Sequence, residues 1–120
     1  LGTLCKDNPE GLGRIVRDAN GEFEDIVEHK DATDEQRQIR EVNMSTYLFD
    51  AKRLLWSLGE LKNDNVQKEY YLTDCPRILK QKGDLVAARS VLQGCEALSI
   101  NTIAELGLVE ERMREMGYVC

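Results

Sequence analysis

Two periods of apolar and polar residues run along this chain. Gly13-Arg14-Ile15-Val16-Arg17-Asp18 alternates with a period near two, as a half-buried strand does. Glu22-Phe23-Glu24-Asp25-Ile26-Val27 returns as its partner, and Asn20-Gly21 between them predicts a type I′ hairpin turn with positive φ at both residues. Leu1-Gly2-Thr3-Leu4 has the look of a strand already under way. Val42 to Phe49 is a further strand rich in β-type residues, and Leu85 to Leu92 another, apolar enough to be interior.

Helical spacing takes over elsewhere. Thr33 with Gln36 forms a capping box over a short helix. Asp50 caps a helix in which Ala51, Leu54, Leu55 and Leu58 make a core-facing stripe, with Gly59 at C′ and Trp56 on a flank. Asp74 is the expected N-cap of the next helix, with Pro76 tolerated in its first turn, Lys80 and Lys82 near its negative end and Gly83 stopping it. Thr102 with Glu105 opens a last helix to about Met116, with Ile103, Leu106, Met113 and Met116 as its buried side and Gly117 as its stop. Strands and helices in alternation predict an α/β fold with a mixed sheet.

Composition narrows the function. The 120 residues suffice for one domain, and 42% hydrophobic with 32% charged residues is ordinary for a globular protein. A net charge of −6 argues against general binding of nucleic acid or anionic membranes, which need basic patches. A phosphate-bearing small ligand stays open, since a few local donors hold one. No run of about 18 apolar residues is present, so no membrane span is predicted. No basic-then-apolar leader opens the chain, which starts at Leu1; the expectation is a fragment of something longer. Cys5, Cys75, Cys95 and Cys120 lack metal or redox spacing, which predicts reduced thiols in a cytoplasmic setting.

The stretch from Ile26 to Asn43 carries the candidate chemistry. Glu28 and Asn43 sit where strands begin or end, where ligand-binding side chains of α/β folds gather. Each also has a plain reading: Glu28 as a solvated acid beside His29 and Lys30, Asn43 as a strand cap. Gly11 and Gly13 are either turn glycines or points where backbone approaches a ligand closely. Thr73 and Asp74 read locally as helix caps, and Asn101 as either an N-cap or a phosphate-side residue at a helix start.

The same stretch resembles bacterial N-acetylglucosamine-1-phosphate uridyltransferase. Gly11-Leu12-Gly13-Arg14-Ile15, Glu41-Val42-Asn43, Asn63 through Asp74 and Ser99-Ile100-Asn101 agree with it in the same order. The resemblance implies the second half of a Rossmann-like nucleotide-diphospho-sugar transferase domain over residues 1–120, the sugar-side half. It implies an enzyme of UDP-N-acetylglucosamine and cell-wall biosynthesis, joining UTP and N-acetylglucosamine 1-phosphate and releasing pyrophosphate. Gly13, Glu28, Asn43, Glu69, Tyr71 and Thr73 would then hold the sugar, and Asn101 would be one ligand of Mg2+. The family's Tyr between the two glycines is Leu12 here, and its Asn-Thr-Gly is Asn43-Met44-Ser45, a bulkier backbone position beside the sugar.

The family's glycine-rich phosphate loop, its uracil-reading residues, its metal-binding aspartate and the hexapeptide repeats of its acetyltransferase β-helix have no match in these residues. The isolated chain is therefore expected to be inactive. An open sheet edge would favour a homo-oligomer. The alternatives are another sugar-nucleotide pyrophosphorylase, or a non-catalytic binding or assembly module derived from this family.

Overall fold

The computed structural model describes residues 1–93, Glu96, Leu98, Ile100 and residues 102–118. Its elements are β1 (Gly2–Cys5), β2 (Arg14–Arg17), β3 (Phe23–Val27), α1 (Asp34–Arg37), β4 (Glu41–Thr46), α2 (Ala51–Gly59), α3 (Asp74–Gln81), β5 (Arg89–Ser90) and α4 (Ile103–Glu115). The strands form one sheet in the order β3-β2-β4-β1-β5. Pairing is antiparallel except between β1 and β5, so the sheet is mixed and the fold is α/β. Among the described residues no helix is long and apolar enough to cross a membrane.

The β2–β3 hairpin turns differently from the expected type I′ geometry. Of Asn20 and Gly21 only Gly21 takes a positive φ, +78°. The Asp18 carboxylate accepts from the backbone N–H of Asn20 (2.9 Å) and of Glu22 (3.0 Å), while Gly21 N–H closes the turn on the Asp18 carbonyl at 2.9 Å. An aspartate that satisfies the turn's own donors favours an ordinary first bend, with the left-handed residue displaced to its end. The two backbone bonds also hold the Asp18 carboxyl below its ordinary range.

Ile15 from β2 and Phe23 and Ile26 from β3 form the core with Ala88; Leu1, Tyr47 and Val86 pack on it. The helix α3 lies along β3. It buries Cys75, Pro76 and Leu79, donates from Lys80 Nζ to the Phe23 carbonyl, and pairs Arg77 Nε with Asp25 at 3.2 Å. Beyond the core, Arg17 binds both carboxylate oxygens of Glu41 (2.8 and 2.7 Å), and Thr3 donates to the same carboxylate at 2.5 Å. This ties β1, β2 and β4 side by side.

Both capping boxes form, at Thr33–Gln36 and at Thr102–Glu105. Gly83 (φ +94°) and Gly117 (φ +87°) follow the C-caps Lys82 and Met116, as expected. Gly59, expected at C′, is instead the last residue of α2. Asp74, expected as N-cap, is the first residue of α3, and Thr73 takes the cap position.

Burial corrects the two amphipathic helices. The expected α2 stripe is left largely outside, with Leu55 71% and Leu58 41% exposed, while Ser57 is fully buried. The helix α2 packs on α3, and Lys82 Nζ of the α3 cap sits 3.2 Å from the Trp56 ring centre. No residue of α4 is fully buried; of its expected buried side Ile103 is 90% exposed, while Leu106 and Met113 are partly covered. The expected strands at 42–49 and 85–92 are shorter. β4 ends at Thr46 just after Ser45 takes φ +54°, which breaks the pleat. Tyr47 and Phe49 then stack on each other at 5.5 Å. β5 keeps only Arg89 and Ser90, beside a β1 that is itself short, and Leu85 is 98% exposed.

Candidate functional site

Glu28 follows the last residue of β3, and Gly13 and Thr73 close on its carboxylate. Gly13 enters β2 opposite it: a Cβ there would lie 3.1 Å from Ile26 Cγ2 and 3.5 and 3.6 Å from the Glu28 carboxylate oxygens. The Gly13 carbonyl accepts from Asn43 N–H at 2.9 Å, which brings β4 alongside. From the start of α3, Thr73 Oγ1 donates to Glu28 Oε1 at 2.9 Å. Thr73 makes no capping bond, so the local capping reading of this threonine gives way to a contact 45 residues distant in sequence.

The two glycines of the motif do different jobs. Gly11 has φ +76° with nothing near its missing side chain, so it serves the turn. Gly13 has no positive φ and serves close approach. Beneath this loop the Arg14 side chain, 1% exposed, donates to the Leu12 carbonyl and to His29 Nδ1 at 3.3 Å. Burial, with Arg37 nearby, lowers the Arg14 pKa. His29 is half-buried and holds Arg14.

Asn43 is 7% exposed, and its Oδ1 accepts from Ser45 N–H at 3.2 Å. That bond follows from the left-handed turn at Ser45. Its carboxamide NH2 remains for other partners. Tyr47, close to Asn43 but outside hydrogen-bonding geometry, buries a hydroxyl without a partner, and burial pushes its pKa up to about 12.

A cleft opens from Glu28 toward the loop at 62–74, with Glu28 and Tyr71 in its wall. The Tyr71 hydroxyl donates to Asp31 Oδ2 at 3.3 Å and accepts from Gln67 Nε2 at 2.8 Å. Asp31 Oδ1 accepts from Val66 N–H at 2.9 Å, and Asp31 N–H donates to the Glu28 carbonyl at 3.0 Å. Partial burial first, then the Asp31 and Glu28 charges, raise the Tyr71 pKa. Across the cleft Arg77 lies between Asp25 and Asp74. Burial raises the Asp25 pKa, with Arg77 opposing.

Of the residues singled out from the sequence, Gly13, Glu28, Asn43 and Thr73 thus come together, and Tyr71 joins them through Asp31. Glu69 enters by its backbone alone: its N–H and carbonyl are both bound by the Asn65 side chain, at 3.1 and 2.6 Å. Asn101 lies outside the described residues. Asp31 and Gln67 were missed. Their contacts span 35 to 40 residues or close a loop, and no local pattern announces them. A second hollow, between Tyr47-Leu48-Phe49 and Leu85-Val86-Ala87, is mostly apolar and holds none of the predicted residues.

A mixed sheet with carboxylate, carboxamide and hydroxyl groups gathered at its strand ends defines an α/β domain equipped for a small polar ligand. Comparison with known proteins makes this particular. The chain matches a segment of the bifunctional protein GlmU of Geobacillus sp. (strain WCH70), 47% identical over 113 residues. It is also 47% identical to that of Streptococcus suis (strain 98HAH33) and 42% identical to that of Bacillus subtilis (strain 168), each over 113 residues. These matches cover 94% of this chain and 25% of each relative, so the chain spans about a quarter of the length of the curated relatives it matches. No protein-family model matches the chain.

Proposed function

We propose that these residues are the sugar-side part of a Rossmann-like nucleotidyltransferase domain that makes UDP-N-acetylglucosamine and pyrophosphate from UTP and N-acetylglucosamine 1-phosphate, in a cytoplasmic setting. One observation supports this most: the Glu28 carboxylate is bracketed by Gly13 and Thr73, with Asn43 bonded to Gly13, in the residue order that the resemblance implies.

In this reading Glu28 accepts hydrogen bonds from sugar hydroxyls. Its Oε2 has no protein partner among the described residues, while Thr73 fixes Oε1. Asn43, its oxygen engaged by Ser45, offers its NH2 to a ligand acceptor such as an acetamido carbonyl. Gly13 leaves room beside the carboxylate. The chain's share of the rate is orientation: it holds the sugar phosphate for in-line attack on the nucleotide α-phosphate. The one residue that the resemblance implies as a magnesium ligand, Asn101, lies outside the described residues. The roles given to Glu28, Asn43 and Thr73 do not depend on it.

Isothermal titration of the chain with N-acetylglucosamine 1-phosphate tests the reading. Saturable binding that disappears in Glu28→Ala supports it, and no binding by the wild-type chain overturns it. A coupled pyrophosphate assay on the chain alone is expected to show no turnover. A second reading, a different sugar 1-phosphate, is favoured by Ser45, whose side chain stands where the family has glycine. Glucose 1-phosphate in a parallel titration separates the two.

A further inference from the structure

The hydrogen bonds around Tyr71 all run in one direction. Lys30 Nζ donates to Gln67 Oε1, so Gln67 must turn its NH2 toward Tyr71. The Tyr71 oxygen accepts that bond and gives its single proton to Asp31. Asp31 is held in turn by Val66 N–H. A phenol oxygen donates once and accepts twice, so one acceptor position is left and no donor. The neighbouring groups are in the same condition. Thr73 has given its proton to Glu28, and the Glu28 carboxylate only accepts.

We propose that Asp31 and Gln67 are positioning residues that fix the Tyr71 phenol as a hydrogen-bond acceptor, so that this wall of the cleft takes hydroxyl donors of a sugar and turns away its phosphate. The phosphate, an acceptor with negative charge, finds no proton on Tyr71 or Thr73 and two carboxylates, Glu28 and Asp31, whereas Lys62 and Arg77 elsewhere in the lining of the same cleft offer it cations. The sugar ring therefore enters with hydroxyls toward Glu28 and Tyr71 and its phosphate pointing away from both. This rests on the sugar-phosphate reading above for its ligand, but the orientation of Tyr71 stands on the protein's own bonds.

Exchanging the donor and acceptor ends of the chain of bonds tests it. In Asp31→Asn, the Asn oxygen keeps Val66 and its NH2 faces a phenol that already accepts from Gln67. The phenol must then turn its proton outward. Binding of N-acetylglucosamine 1-phosphate is expected to weaken about tenfold. The Tyr71 ionisation, followed by NMR of selectively labelled tyrosine, is expected to move down toward the ordinary phenol value. Adding Gln67→Glu supplies a new acceptor beside Lys30 and is expected to restore binding to within about threefold, although Asp31 is still absent. A general loss of structure would not be repaired by that second change.

Wild-type affinity in folded Asp31→Asn overturns the proposal, as does a double variant that binds no better than the single one. If the wild-type chain binds no sugar phosphate, the ligand reading has failed. The Tyr71 titration then decides on the positioning alone: an ionisation that does not move in Asp31→Asn overturns it.

Discussion

Thr73 Oγ1 donates to Glu28 Oε1 at 2.9 Å and makes no bond to the first turn of α3, whose cap position it occupies. The threonine holds a carboxylate, and the helix start does without its usual hydroxyl. Thr73→Val keeps the shape and removes the donor. Sugar-phosphate binding is expected to weaken about tenfold, the worth of one charge-assisted hydrogen bond, with the melting temperature nearly unchanged. Thr33→Ala, at a cap that does bind its helix, is expected to cost about 1 kcal/mol of stability and leave the titration as it was.

The two glycines of the first loop separate in the same manner. Gly13→Ala places a methyl group against Ile26 and the Glu28 carboxylate, and titration is expected to show weaker ligand binding. Gly11→Ala meets nothing but must hold φ +76°, so it is expected to lose about 1 kcal/mol in urea melts while binding is retained.

Ser45 and Lys68 carry positive φ values of +54° and +58° without being glycine. Ser45→Gly is expected to raise stability by about 0.5–1 kcal/mol, because it removes left-handed strain and keeps the N–H that binds Asn43. Ser45→Val, β-branched at the same φ, is expected to lower it by at least about 1 kcal/mol. Thermal melts of the three proteins give the order.

The Arg17–Glu41 pair sets an acid limit. The Arg17 hydrogen bonds, more than anything else, hold the Glu41 carboxyl below its ordinary value, and burial opposes them. Its folded pKa is thus depressed. The stabilisation it gives is fully present above the unfolded carboxyl pKa and is lost as pH falls through the folded one. Urea melts across the acid range are expected to show a shallower loss of stability in Glu41→Gln than in wild type. At neutral pH, Arg17→Met is expected to cost about 1–3 kcal/mol, since it leaves a half-buried carboxylate with Thr3 alone.

What could be read from the sequence was local. Both capping boxes, the stops at Gly83 and Gly117 and the β2–β3 pairing depend on residues within a few positions of one another, and all are present. The faces of α2 and α4 could not be read, because burial depends on what lies opposite. Ser57, an unremarkable serine in the pattern, turned out to be the fully buried residue of α2. The site divided along the same line. The family resemblance carried Gly13, Glu28, Asn43 and Thr73 to one place, whereas Asp31, Gln67 and the Arg14–His29 contact arise from segments far apart or folded back on themselves.

The 13 residues of α4 have a hydrogen-bonded box at one end and a left-handed glycine after the other, yet Ile103 is 90% exposed. A helix of that length with no fully buried residue to reinforce it sits near the margin of coil in water. Its amides should therefore exchange with deuterium by local fraying, orders of magnitude sooner than those of β2 and β4. Circular dichroism on warming should lose part of its helical signal gradually, before the sheet gives way in a single cooperative step.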